Sequence, residues 1–279
     1  MIVYEVGPRD GLQGLKPLPT EKKVELIDGL SDAGLKYIEV VSFVDPKYIP
    51  QMADATEVAR GIRRKKGVVY SALVPNMKFY AQAQETDMPE IAVFLSANEE
   101  HNIKNLGRDI ATTKERLKPV FEAARKDERT VRGYVSTAWG YKGDDTPVAD
   151  VIGISRWLLD EGAYQVSLGD TTGMGTRRTI QDRLLDIREE FGDLNRFALH
   201  LHTKREDMEH KVGASYISGM RIFDSSLYGL GGCPTDELLG NVDTEELVKH
   251  FEAEGVATGV DLDQLGRAST SLRNTLREI

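Results

Sequence analysis

The 279-residue chain contains a single cysteine, Cys233. One thiol cannot close an intramolecular disulfide, so the fold rests on its core, and a reducing compartment is expected. Long apolar runs are missing too. No stretch approaches the roughly 20 apolar residues of a membrane-spanning helix. There is no basic excess: Lys and Arg number 36 against 45 Asp and Glu, a formal net charge of −9. Nucleic acids and anionic membranes select basic surfaces, so neither is expected as a partner. A few cations at a pocket mouth would still serve an anionic ligand. The opening residues Met1 to Val6 read directly as a strand, without a basic n-region, an apolar h-region or an Arg-rich segment, and a soluble, cytoplasmic protein is expected. Low-complexity tracts and Pro/Ser-rich linkers are absent, and nothing marks a domain boundary.

What is present is a rhythm. Short β-branched runs at 2–6, 37–43, 68–74, 90–95, 131–136, 164–168, 197–202 and 222–225 alternate with amphipathic stretches near 20–33, 50–63, 78–86, 109–127, 147–161, 176–190, 205–218 and 244–254. Several strands are unbroken apolar runs, such as Ile91-Ala92-Val93-Phe94-Leu95, the pattern of a strand covered on both faces. Strict alternation implies parallel pairing with right-handed crossovers. Eight such units predict an α/β fold, a single (β/α)8 TIM barrel over residues 1–279 with a C-terminal helical extension from about residue 259. An open doubly wound sheet is the alternative, and the absence of a Gly-x-Gly-x-x-Gly turn after the first strand counts against it.

In such a barrel reactive groups sit at the C-terminal ends of the strands. Strand one ends in Gly7-Pro8-Arg9-Asp10-Gly11, strand five in Ser136, strand six in Gly169-Asp170-Thr171 and strand seven in His200-Leu201-His202. Residues i and i+2 of a strand share a face, so two imidazoles converge there. Hydrogen-bonded structural histidines are one reading. The other is a metal site with Asp10 as the anionic third ligand, where two histidines, a carboxylate and open positions suit a Lewis acid. Arg9 is either a salt-bridge partner of a neighbouring acid or a guanidinium that stabilises an enolate oxygen, acting on the transition state rather than on folding. Glu39 within strand two would be costly to bury unpaired, which makes Arg9 its expected partner. Asp170 is a substrate ligand or a turn former. Asn241 is a metal or ligand contact, or the cap of the helix beginning near Thr244. The glycines before Cys233 either make tight turns or form a loop delivering the thiol as an acid or nucleophile.

These segments together resemble the 3-hydroxy-3-methylglutaryl-CoA lyase family. The similarity is carried by Val6-Gly7-Pro8-Arg9-Asp10-Gly11-Leu12-Gln13, Ile38-Glu39-Val40-Val41-Ser42-Phe43, Val74-Pro75-Asn76-Met77-Lys78, Val131 to Ser136, Ser167 to Gly173, Gly229-Leu230-Gly231-Gly232-Cys233-Pro234 and Gly240-Asn241. The resemblance implies a divalent-cation lyase that splits an acyl-CoA by retro-Claisen cleavage to acetyl-CoA and acetoacetate, as in leucine catabolism and ketone-body formation. It implies a metal, Mg2+ or Mn2+ with Zn2+ or Co2+ as substitutes, on Asp10, His200 and His202, with Asn241 near a fourth position. It makes Arg9 the enolate stabiliser and Cys233 a thiol that moves protons. Lys16, Glu39, Ser136 and Asp170 would line or support an acyl-CoA site, and a homodimer is expected. Four departures bear on the acyl group: Thr203-Lys204 after the second histidine, a short loop after Pro234, Thr137 to Tyr141 where the family often has cysteines, and Gly14. Two alternatives stand beside the lyase: a Claisen-condensing acyltransferase of the same superfamily, and a non-catalytic barrel that binds metal or acyl-CoA.

Overall fold

The computed structural model describes residues 1–232 and 239–278. Its frame is eight strands: β1 (Ile2–Glu5), β2 (Tyr37–Ser42), β3 (Val69–Leu73), β4 (Glu90–Ser96), β5 (Thr130–Ser136), β6 (Gln165–Asp170), β7 (Phe197–Thr203) and β8 (Ile222–Ser225). Each pairs in parallel with the next, and β8 returns to β1 from Ile2↔Ile222 through Glu5↔Ser225. That last pairing closes the sheet into a barrel and removes the open-sheet alternative. A short ninth strand, β9 (Gly240–Asn241), runs antiparallel to the end of β7.

The helices are α1 (Thr20–Asp32), α2 (Ala55–Gly61), α3 (Met77–Gln84), α4 (Glu99–Leu106), α5 (Ile110–Lys126), α6 (Val148–Glu161), α7 (Arg177–Phe191), α8 (Met208–Ile217), α9 (Thr244–Ala253) and α10 (Leu262–Glu278). Apolar residues such as Ile91, Val93, Val166 and Leu199 join Leu117, Val120, Leu184 and Leu247 of the helices in one core between sheet and helices. α10 packs on α1, where Gly29 leaves room for Ala268: a methyl on Gly29 would sit 3.1 Å from the Ala268 Cβ. Among the described residues no helix is long and apolar enough to cross a membrane.

Three elements differ from the expected rhythm. The stretch at 50–63 breaks into a 3-10 turn, Pro50–Met52, and α2, and the stretch at 205–218 into a 3-10 turn, Arg205–Asp207, and α8. α4 was not expected, because its buried anchor is polar. Asn102, its buried residue, accepts from Ser96 N and donates to Thr113 Oγ1 and Arg108 O, so no buried apolar stripe announces the helix.

The barrel interior is polar, although such interiors are ordinarily filled by branched apolar side chains. Tyr4 of β1 bonds Glu90 of β4, Glu39 of β2 accepts from Tyr134 of β5, and Arg132 of β5 pairs with Asp224 of β8. None of these strands are neighbours, so their side chains can meet only across the inside of the barrel.

Candidate active site

β1 leads into a π-helical turn, Gly7–Gly11, in which the N–H groups of Arg9, Asp10 and Gly11 converge on Val6 O at 3.1, 2.7 and 3.4 Å. The turn sets Arg9 and Asp10 side by side at the C-terminal mouth of the barrel. Glu5, fully buried, fastens it. Its Oε1 accepts from Gly7 N (2.8 Å) and Leu227 N (3.0 Å), and its Oε2 lies 2.6 Å from Thr244 Oγ1. Gly7 allows this approach, since a Cβ there would fall 2.5 Å from Glu5 Oε1.

Asp10 faces the two histidines of β7. Asp10, His200 and His202 are all buried, and one ligand atom from each lies within 4.8 Å of the others. His200 Nδ1 is 3.1 Å from Asp224 Oδ2, and His202 Nδ1 is 2.9 Å from Thr171 O. Burial opposes ionisation of Asp224, but Arg132 and His200 override it and hold the carboxyl below the usual range. Both partners therefore only accept, so each Nδ1 carries the hydrogen and each Nε2 presents a lone pair. The two Nε2 atoms face each other at 3.2 Å. Lone pairs at that distance repel unless a proton or a cation lies between them. Burial, reinforced by the His200 ring, presses His202 down to about 4, which disfavours the proton near neutrality.

Asn241 completes the group. β9 sets it opposite His202, and its Nδ2 donates to Asp10 Oδ2 at 2.7 Å and to Leu230 O at 2.8 Å. Its Oδ1 is buried and has no hydrogen-bond partner among the described residues. Buried acceptors are rarely left unpaired, and the other end of this amide is bonded to Asp10. Helix capping, the other reading of Asn241, falls instead to Asp243, which accepts from Glu245 N (2.9 Å) and Glu246 N (3.2 Å). Ligands on adjacent vertices of an octahedron with bonds of about 2.1 Å stand about 3 Å apart, close to the imidazole separation. The nitrogen and oxygen donors thus fit a divalent cation.

Arg9 donates from Nη1 to Asp10 Oδ1 at 2.5 Å and from Nε to Glu39 Oε1, and its guanidinium stands 5.5 Å over the Tyr134 ring. The expected Arg9–Glu39 pair is present. Arg9 is thereby tied into the packing and is not free of a structural part. Burial would raise the Asp10 carboxyl, but Arg9 and the two imidazoles hold it down to about 2. Gln13 Nε2 donates to the same Asp10 oxygen at 3.0 Å.

The remaining expected residues are less tightly gathered. Asp170 accepts with both oxygens from Gly175 N at 3.0 Å, with Lys211 at 3.8 Å, which is the turn-forming arrangement. Burial raises it to about 6, with Lys211 opposing. Ser136 is half-buried at the end of β5, beside Thr137, whose φ of +56° is unusual for a β-branched residue. Lys16 is exposed on the segment between the π turn and α1. Cys233 lies outside the described residues. The glycines before it are held tightly: a Cβ on Gly231 would fall 2.7 Å from Asn241 Nδ2 and 2.9 Å from Asp10 Oδ2, and one on Gly232 would fall 2.0 Å from Leu239 O. Sequence reasoning passed over Gln13, Arg132, Tyr134, Thr171 and Asp224. Asp224 had a usable signal, a carboxylate inside an apolar strand, as Glu39 has.

A profile of the HMGL-like family matches residues 1–272. The chain belongs to this family. It is 44% identical over 271 residues to the 3-hydroxy-3-isohexenylglutaryl-CoA/hydroxy-methylglutaryl-CoA lyase of Pseudomonas aeruginosa, covering 94% of this chain and 88% of that protein. It is 40% identical over 267 residues to a hydroxymethylglutaryl-CoA lyase of Bacillus subtilis, covering 94% and 89%. The solved hydroxymethylglutaryl-CoA lyase from Pseudomonas aeruginosa superposes with a TM-score of 0.95 at 41% identity, over 99% of this chain and 92% of that one. An HMG-CoA lyase from Acinetobacter baumannii, in complex with coenzyme A and 3-methylmalate, superposes at 0.93 with 35% identity, over 99% and 91%.

Proposed function

We propose that this HMGL-like chain is a divalent-cation-dependent carbon–carbon lyase that splits 3-hydroxy-3-methylglutaryl-CoA, or a close analogue with another substituent on C3, into acetyl-CoA and a keto acid, acetoacetate in the parent case. The observation that carries this reading is the buried convergence of Asp10, His200 and His202 beside Arg9, with Asn241 bonded to Asp10 through Nδ2 and its Oδ1 unpaired among the described residues. No observation favours a condensing acyltransferase or a non-catalytic barrel.

Cleavage removes the proton of the C3 hydroxyl, breaks the C2–C3 bond and leaves the electron pair on C2 and the thioester oxygen. C3 becomes the ketone of the keto acid, and C2 must gain a proton to give acetyl-CoA. Asp10, His200, His202 and Asn241 would hold the cation, which would supply Lewis acidity when bound. Magnesium or manganese suits this set, and zinc or cobalt would substitute. We assign Arg9 to the enolate: Glu39 and Asp10 hold its Nε and Nη1 edges, and Nη2 is the donor we aim at the thioester oxygen as charge develops there. Cys233, which follows Gly231 and Gly232 in the sequence, is assigned to proton delivery at C2. Glu39 positions Arg9, Asp170 shapes the loop after β6, and Ser136 and Lys16 are assigned to the acyl-CoA. We take residues 1–279 as one catalytic unit with α10 as its extension, acting as a cytoplasmic homodimer.

The test is a panel of 3-hydroxy-3-methylglutaryl-CoA, 3-hydroxy-3-isohexenylglutaryl-CoA and citramalyl-CoA, incubated with purified protein and Mg2+ or Mn2+ and scored for free acetyl-CoA. At least one glutaryl substrate should be cleaved, and EDTA should abolish the reaction. No release from any of them, or release that survives EDTA, would overturn the proposal.

A further inference from the structure

Arg132 heads the fully buried side chains by volume, and the reaction above makes no use of it. It lies on β5 with its partner Asp224 on β8, and both side chains are 0% exposed. Taking an ion out of water costs several kcal/mol, and a buried pair is often no more stabilising than apolar residues of similar volume. An ion pair in the middle of a barrel therefore calls for a reason other than stability.

The contacts supply one. Arg132 grips Asp224 as a two-pronged fork, Nη2 to Oδ1 at 2.5 Å and Nη1 to Oδ2 at 3.1 Å. Ser167 Oγ donates to the same Oδ2 at 2.9 Å, and that oxygen accepts from His200 Nδ1 at 3.1 Å. The fork is itself anchored. Gln165 Oε1 holds Nε at 2.7 Å, Nη1 also donates to Tyr134 Oη at 2.6 Å, and the guanidinium lies 3.9 Å over the Tyr4 ring. A bidentate guanidinium fixes both the place and the plane of a carboxylate, which a single-point ammonium cannot do.

We propose that Arg132 is a positioning residue for the cation site: its fork aims Asp224 at His200 Nδ1, which keeps the hydrogen on Nδ1 and turns the Nε2 lone pair toward Asp10 and His202. The inference rests on the reading of these three residues as cation ligands. It makes a prediction opposite in sign to simple electrostatics. A nearby positive charge repels a cation, so deleting it should tighten binding if charge alone mattered. If Arg132 acts by aiming a ligand, deleting it should weaken binding.

The experiment is Mn2+ binding to metal-free protein, followed by electron paramagnetic resonance, with folding checked by circular dichroism. Arg132→Met should bind Mn2+ about 10–100-fold more weakly than wild type, the range for loss of an outer partner of a ligand histidine. Arg132→Lys keeps the charge but not the fork and should also be weakened. If Arg132→Met does not fold, the double variant Arg132→Met/Asp224→Leu leaves no orphaned charge, and it should fold and still bind weakly. Long-range 15N spectra of the metal-free wild type should show His200 with its hydrogen on Nδ1, and Arg132→Met should lose that preference. Equal or tighter Mn2+ binding in a folded Met or double variant, or wild-type binding in Arg132→Lys, would overturn the role of Arg132. Failure of the wild type itself to bind Mn2+ would instead overturn the cation site, and the inference with it.

Discussion

Replacing Glu5 by Gln should change how the stability of this barrel responds to pH. Glu5 is fully buried and holds three segments that border the site: the π turn through Gly7 N, the start of the glycine-rich loop through Leu227 N, and the head of α9 through Thr244. Burial raises its carboxyl from the ordinary 4.5 to about 7, against the hydrogen bonds from Thr244, Gly7 and Leu227 that favour the carboxylate. The sign follows from linkage. Between 4.5 and about 7 the folded protein keeps a proton that the unfolded chain has lost, so the contribution of Glu5 to stability is complete below 4.5 and declines as pH rises through 7. Each pH step in that window costs about 1.4 kcal/mol, which accumulates to about 3 kcal/mol by pH 8. Glutamine copies the protonated form: its carbonyl takes the two N–H groups, and its amide donates to Thr244, whose hydroxyl stands 2.9 Å from Ser225 Oγ. Wild type and Glu5→Gln should therefore differ by less than about 1 kcal/mol at pH 5 in EDTA. By pH 8 the variant should be more stable by about 3 kcal/mol, or about 6–12 °C for a chain of this size. Scanning calorimetry from pH 5 to 8 reads the difference. Parallel curves, or a variant that loses ground as pH rises, would refute the argument.

Three further outcomes are expected. Arg9→Met leaves Asp10 and Glu39 buried without their cation, so it should lose about 3–5 kcal/mol of stability in urea unfolding without metal, and kcat should fall about 10²–10³-fold; an unchanged unfolding midpoint would show that the two carboxylates do not depend on it. Gly231→Ala places a methyl against Asn241 Nδ2 and Asp10 Oδ2 at a φ of +84°. It should cost about 1–2 kcal/mol in backbone strain and weaken Mn2+ binding at least about tenfold, in the range of a displaced metal partner; wild-type affinity by titration would count against the crowding argument. Cys233→Ser should keep fold and metal content while kcat drops at least about tenfold, and iodoacetamide should inactivate the wild type more slowly when a substrate analogue is present; normal turnover in the Ser variant would remove the thiol from the proton pathway.

Much of this was legible in local pattern. Strand–helix alternation announces the barrel because each strand must have both faces covered, and the period of two along a strand puts His200 and His202 on one face whatever surrounds them. Glu39 also announces its need for a partner, because an unpaired carboxylate inside a strand is too costly to bury. α4 escaped the same reasoning because its anchor is the hydrogen-bonded Asn102 and not an apolar stripe. Closure of the sheet decided the rest. Asp10 and Asn241 stand 231 positions apart and meet only because β8 pairs with β1 while β9 folds back on β7. Arg132 and Asp224, 92 positions apart, each look like an isolated charge on a strand. A charge on a strand advertises that it must be paired, but its partner is whichever opposite charge the closed barrel brings across the interior, and no local window contains that distance.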